Sequence, residues 1–170
     1  MQIVPDPTNK AIRILLLEDS RVDADLIARE LGRSELHVLL ERVDSEASFI
    51  AALDTFSPDV VLSDHALAQF NSHAALETLR AISPATPFII VTGSQLGSIT
   101  SASIRAGADD VVFKTHLDGL AASISHALAM RRPLAMLSNR QVEVLKLVAE
   151  GYRTREIGRA SCRERVSSVV

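Results

Sequence analysis

The sequence predicts an α/β protein built on a doubly wound, five-stranded parallel sheet. Three observations carry that expectation. Short apolar runs alternate with longer amphipathic segments along most of the chain. Five strand-then-helix units in a row call for a parallel sheet with helices on both faces. Three of the runs, Ile-Arg-Ile-Leu-Leu-Leu (12–17), Val-Val-Leu (60–62) and Phe-Ile-Ile-Val (88–91), are close to continuously apolar, as strands covered on both faces must be.

In chain order, the first strand is expected over 12–17 and leads to a helix over 22–31, which Gly32 is placed to stop. A second strand at 37–43 and a helix at 46–56 follow. Pro58 stands just before the third strand, 60–63, and residues 74–82 form the next helix. Pro87 stands before the fourth strand, 88–92, and the helix over 98–106 runs into Gly107. The fifth strand, 111–113, precedes a last helix over 117–130, where Leu117, Leu120, Ile124 and Leu128 are spaced to line one face. Right-handed crossovers between such units distribute the helices over both sides of the sheet.

Composition narrows the function classes. The chain has 170 residues, 47% hydrophobic and 23% charged, which suits one full domain and perhaps a small second one. A lone cysteine, Cys162, excludes a disulfide framework and any zinc site made of paired cysteines, so a reducing compartment is expected. The net charge is −3, but it is unevenly spread: residues 1–126 sum to −8, residues 127–156 to +3 and the last fourteen to +2. An acidic body with a basic end suggests two units with different partners. The opening residues lack the basic start and apolar run of a signal peptide. The longest charge-free stretch, 81–104, is broken by Pro84, Pro87, Gly93 and Gly97, so it does not read as a membrane helix. A soluble, cytoplasmic protein with no membrane partner is the expectation.

In doubly wound sheets the ligand site lies beyond the carboxyl ends of the strands. Glu18 and Asp19 follow the first strand there, Asp64 the third, Thr92-Gly93-Ser94 the fourth and Lys114 the fifth. Three crowded acids repel and need a counter-ion or protons. A hard cation that prefers oxygen, Mg²⁺ above all, resolves the conflict and can also hold phosphate oxygens. Lys114 offers a point charge and Thr92 a hydroxyl donor. Asp64 is a competent nucleophile towards phosphorus. One Asp after a strand is usually a turn former or cap; the joint placement at successive strand ends is what argues for a site.

Leu-Leu-Leu-Glu-Asp-Ser (15–20), Pro-Asp-Val-Val-Leu-Ser-Asp (58–64), Phe-Ile-Ile-Val-Thr-Gly (88–93) and Ala-Gly-Ala-Asp-Asp-Val-Val-Phe-Lys (106–114) resemble the receiver domain of two-component response regulators, CheY-like, over residues 11–130. The resemblance implies a flavodoxin-like sheet of order 2-1-3-4-5. It implies Asp64 as phosphoacceptor, with Mg²⁺ held by Glu18, Asp19, Asp64 and the backbone carbonyl of Ala66. Thr92 is then the switch hydroxyl and Lys114 the phosphoryl contact. The partner would be a sensor histidine kinase or a small phosphodonor, with homodimerisation on phosphorylation. The chain departs from the family pattern at Val111, where an aromatic switch residue is usual, at Ala68 and Ser72, where proline and glycine are common, and at Glu18, where Asp is commoner. Ala66 and Ser94 hold positions that influence hydrolysis in such domains. Neither can act as a charged base, which implies a long-lived phosphoryl group.

Residues 138–157 read as cap, helix, glycine stop and new helix start: Ser138, then Val142, Leu145, Val148 and Ala149 on one face, then Gly151 and Thr154. Residues 138–156 resemble the opening of a LuxR-type (NarL/FixJ-like) helix-turn-helix, joined by a linker at 131–137, with the groove-reading helix of that family not reached. From Ile157 to Val166 the residues resemble a translated sequencing adapter, so 157–170 is expected to be non-native. DNA binding is accordingly expected of an intact protein only. His37, His65, His73, His116 and His126 lack metal-ligand spacing, and the acidic run from Asp19 to Asp25 lacks the glycine and final glutamate of a calcium loop. Two other readings compete. An aspartyl-phosphate phosphatase of the haloacid dehalogenase type needs a second Asp where Ala66 stands, and a receiver can serve as an interaction module without phosphorylation.

Overall fold

The structure, a computed structural model, describes residues 11–67, 70–93 and 97–135. Ala68, Ser94, the expected helix-turn-helix at 138–156 and the tail at 157–170 lie outside the described residues. The chain divides into two compact units, Met1–Arg131 and Arg132–Val170, and the side chains discussed below belong to the first.

Strands and helices alternate as β1 (Ile12–Leu17), α1 (Arg21–Arg33), β2 (Val38–Val43), α2 (Glu46–Thr55), β3 (Val60–Asp64), α3 (Ser72–Ile82), β4 (Phe88–Thr92), α4 (Gly97–Arg105), β5 (Asp110–Phe113) and α5 (Leu120–Ala135). The strands form one parallel sheet in the order β2-β1-β3-β4-β5. This is the flavodoxin-like receiver fold expected from the sequence.

Strand alternation decides which helix covers which residue. Ile14, Leu16, Val60, Leu62, Ile89, Val91 and Val112 point to one face, where Ala24, Ile27 and Leu31 of α1 and Leu120, Ile124 and Ala127 of α5 meet them. Leu15, Leu17, Val61, Phe88 and Ile90 point to the other, against Phe49, Ala52 and Leu53 of α2 and Ala75, Leu76 and Leu79 of α3. Each fully buried Leu or Ile in these cores contributes about 1.5–3 kcal/mol. That two-sided burial is why the central strands read as unbroken apolar runs.

Local chemistry sets the helix ends. Ser20, Ser45 and Asn71 cap α1, α2 and α3, each accepting from the backbone N–H three residues on. Most boundaries fall within two residues of expectation, and two differences stand out. Gly32 lies inside α1 rather than after it: Ser34 ends the helix, its N–H and its hydroxyl both donating to the Leu31 carbonyl. The last helix starts with a single 3₁₀ turn at Leu117–Gly119 and runs to Ala135, so helix covers the first five residues of the expected linker. Gly107 does stop α4, with φ of 102° and its N–H on the Ile104 carbonyl.

At the end of the sheet away from the strand carboxyl ends, Asp109 gathers three elements. It accepts from Arg80 Nη2 of α3 and from the Phe88 N–H of β4, both at 2.9 Å, and from Arg131 Nε of α5 at 2.6 Å. The guanidiniums are tied off in turn by the carbonyls of Thr86, Gly107 and Pro84. Arg13 and Asp59 make a smaller pairing beside it, between the starts of β1 and β3.

Candidate functional site

The same alternation builds the site. Glu18 continues the parity of Ile14 and Leu16, Asp64 that of Val60 and Leu62, and Lys114 that of Val112. All three therefore leave the sheet towards the face that α1 covers. Asp64 is the last residue of β3, one position further into the strand than its sequence suggests. Register places the neighbours: Leu17 pairs with Ser63, Asp64 with Val91 and Thr92 with Phe113. The Lys114 N–H donates to the Thr92 carbonyl at 2.8 Å. Thr92 itself is buried at the end of β4.

Glu18 is fully buried and Asp64 nearly so, whereas Asp19 is exposed. One carboxylate oxygen from each of the three lies within 4.8 Å of the others. Lys114 reaches into this group, with Nζ 2.7 Å from Glu18 Oε2 and 3.3 Å from Asp64 Oδ1. It also meets Asp23 Oδ2 of α1 at 2.6 Å. Four carboxylates and one ammonium leave a formal charge of −3 in one small volume.

Glu18 is held from several sides. Its Oε1 accepts the Ser20 N–H at 3.0 Å, its N–H donates to the Val43 carbonyl and its own carbonyl accepts from Arg42 Nη1 at 2.7 Å. Burial raises its pKa above the ordinary carboxylate range, with the Asp64 charge adding to the rise; hydrogen bonds from Lys114 and the Ser20 N–H only partly offset it. Burial opposes the charge on Lys114 too. There the hydrogen bonds to Asp23 and Glu18 and the charge of Asp64 win, leaving its pKa above that of an ordinary lysine.

This donor set fits a hard divalent cation. Three carboxylates from two adjacent strand ends share one volume, one of them on the solvent side, and their mutual repulsion is only partly balanced by Lys114. Ala66 lies two residues beyond Asp64 in an exposed turn. Val111, in the place of the usual aromatic, is half-buried and packs on the α2/α3 core. None of the histidines joins the acidic group: His65 Nδ1 is 3.3 Å from the buried Ser72 hydroxyl, His73 pairs with Glu77, and His116 with the Thr115 hydroxyl.

Sequence reasoning missed two residues here. Asp23 sits in a run set aside as a failed calcium loop, yet its place in the first turn of a helix following Asp19 is what points it at Lys114. Arg42 gave no motif, because its contact depends on β2 lying beside β1.

The response regulator receiver domain model matches residues 14–125. The chain belongs to the response regulator receiver domain family. It is 32% identical over 109 residues to a two-component response regulator of Oryza sativa subsp. japonica, covering 62% of this chain and 84% of that protein. It is 31% identical over 131 residues to a protein-glutamate methylesterase/protein-glutamine glutaminase 2 of Paramagnetospirillum magneticum, covering 71% of this chain but only 37% of that protein. Among solved structures, a LuxR-family two-component response regulator from Aurantimonas sp. superposes with a TM-score of 0.62 at 24% identity, over 72% of this chain and 89% of that one. A receiver domain is in general a phosphoacceptor rather than an enzyme in its own right. Among the described residues no helix is long and apolar enough to cross a membrane.

Proposed function

We propose that this receiver domain takes a phosphoryl group on Asp64 from a sensor histidine kinase or a small phosphodonor, and that in an intact protein this controls transcription through the LuxR-type helix-turn-helix begun at 138–156. The observation that carries the reading is Asp64 itself: a nearly buried carboxylate at a strand end, within 4.8 Å of the Glu18 and Asp19 oxygens and 3.3 Å from the Lys114 ammonium.

A carboxylate oxygen of Asp64 attacks phosphorus in line. The bond to the donor breaks, its electron pair leaves with the imidazole of a phosphohistidine or with the acetate of acetyl phosphate, and an acyl phosphate remains. Mg²⁺, when held by Glu18, Asp19, Asp64 and the Ala66 carbonyl, supplies positive charge to the transferring oxygens. Lys114 offers an N–H to a second oxygen and the Thr92 hydroxyl a hydrogen bond to a third. Alanine at position 66 brings no base to activate water, which favours a persistent phosphoryl state. With Val111 in place of an aromatic ring, the response passes through Thr92 and Lys114 without a ring rotation. Asp64 phosphorylation would promote homodimerisation, and the protein would work in the cytoplasm.

The test is incubation with acetyl phosphate and Mg²⁺, read by intact mass. One phosphoryl adduct is expected on the parent and none on Asp64→Asn. Phosphate released over many turnovers would instead indicate a phosphatase. No adduct on either protein would leave a receiver that acts as an interaction module, the reading that Val111, Ala68 and Ser72 favour.

A further inference from the structure

Lys114 has one partner that the acidic triad does not account for. Asp23, in the first turn of α1, takes the shortest of the three carboxylate contacts, 2.6 Å against 2.7 Å for Glu18 and 3.3 Å for Asp64. It is not among the three acids whose oxygens converge within 4.8 Å.

An ammonium has three hydrogens to give. In the structure two go to Asp23 and Glu18, and the longer contact faces Asp64. Glu18 and Asp64 are also the acids that a cation would draw towards itself. A doubly charged ion within a few ångströms repels the ammonium and competes for those two partners. Asp23, outside the triad, is the partner that remains. We infer that Asp23 is a positioning residue: it holds the Lys114 ammonium at the site when Glu18 and Asp64 turn to the cation, so that a free N–H meets the incoming phosphoryl oxygen. The inference rests on the reading of Asp64 as phosphoacceptor.

The contact is suited to that task. Asp23 is anchored at its backbone, where its N–H donates to the Ser20 capping hydroxyl at 3.3 Å, so its carboxylate is free of capping duty. It is more exposed than Glu18, its side chain 36% accessible against none for Glu18. Its contact with the ammonium therefore lacks the burial cost that Glu18 bears. Removing only its charge leaves α1 capped.

The experiment uses the full chain and two readouts. The chain has three lysines, Lys10, Lys114 and Lys146, so lysine ammonium signals in a ¹⁵N-edited spectrum are few. Such a signal is sharp only while hydrogen bonds slow exchange with water. With saturating Mg²⁺, the Lys114 signal should persist in the parent and in Asp23→Glu and broaden away in Asp23→Asn. Phosphorylation by acetyl phosphate at saturating Mg²⁺ should be about tenfold slower in Asp23→Asn, since a displaced donor loses part of its transition-state contact. Asp23→Glu should restore the rate, and Mg²⁺ affinity in Asp23→Asn should stay within about threefold of the parent, because a half-exposed charge is strongly screened. Asp23→Ser, a second neutral replacement, should repeat the Asn result. A Lys114 signal that survives Asp23→Asn in Mg²⁺, or an unchanged rate in that variant, overturns the assignment. If the parent takes no phosphoryl group, the reading of Asp64 fails, and the ammonium signal still decides whether Asp23 holds Lys114.

Discussion

Replacing Lys114 with methionine should separate folding from metal binding in this domain. Methionine keeps most of the apolar stem and removes the charge. Lys114 is 12% accessible, and it faces Glu18 at 0% and Asp64 at 9%. Removing one member of a buried charge group costs about 3–5 kcal/mol, because the remaining charges stay buried without compensation. Water can take over at the more exposed Asp23, which brings the expectation to the lower end, about 3 kcal/mol without metal. For a domain of this size that is a fall of roughly 10 °C in Tm. Mg²⁺ should narrow the gap. With its competing cation gone, the triad should bind Mg²⁺ at least about tenfold more tightly than the parent. With both proteins saturated, a tenfold tighter Kd returns about 1.4 kcal/mol more to the variant than to the parent, so the loss should shrink to about 1.6 kcal/mol. The assay is urea unfolding of both proteins in chelator and in saturating Mg²⁺, with Mg²⁺ affinity measured separately. An equal loss in both buffers, or Mg²⁺ binding no tighter in the variant, would refute the claim that Lys114 and the cation compete for the same carboxylates.

Two glycines should respond to alanine with opposite signs. Gly32 sits within α1 with nothing near a new Cβ, so Gly32→Ala should stabilise by about 0.5–1 kcal/mol. Gly107 has equal space but φ of 102°, so Gly107→Ala should destabilise by about 1–2 kcal/mol through backbone strain alone; urea midpoints that move together would contradict this. The raised pKa of Glu18 gives a pH signature in metal-free buffer. Between the ordinary glutamate value of 4.5 and its higher folded pKa, the native state binds more protons than the unfolded chain, so this contribution to stability falls as pH rises through that window and is level above it. The urea midpoint of Glu18→Gln relative to the parent should therefore climb across the same window, and a flat difference would exclude Glu18 as the source.

Much of this was legible in the sequence, and the physical reason is specific. Strands buried on both faces must be apolar throughout, so β1, β3 and β4 announce themselves, and the strand ends follow from them. Glu18, Asp19, Asp64 and Thr92 were found because they stand at such ends, and Lys114 because it stands directly after the shorter, partly buried β5. Asp23 and Arg42 were not, because their contacts depend on how a helix turn and a neighbouring strand are placed in space. Gly32 misled for a related reason: a glycine signals permission to leave a helix, while the Ser34 hydroxyl on the Leu31 carbonyl determines where the helix ends. Asp109 lay inside a recognised motif, yet nothing in the motif shows that Arg80 and Arg131 converge on it.

The tethers on Glu18 have a practical consequence for anyone selecting variants of this protein. Because the Ser20 N–H, the Arg42 guanidinium and the Val43 carbonyl fix its position within the fold, the acids are crowded before any ion arrives. The cost of that crowding falls on the folded chain, and a cation bound there would relieve it. Thermal robustness in chelator and avidity for divalent ions are thus opposite ends of one balance. A screen for heat resistance run without metal would enrich neutral replacements at Glu18 and Asp64, and so collect sturdy proteins that lack the proposed phosphoacceptor site.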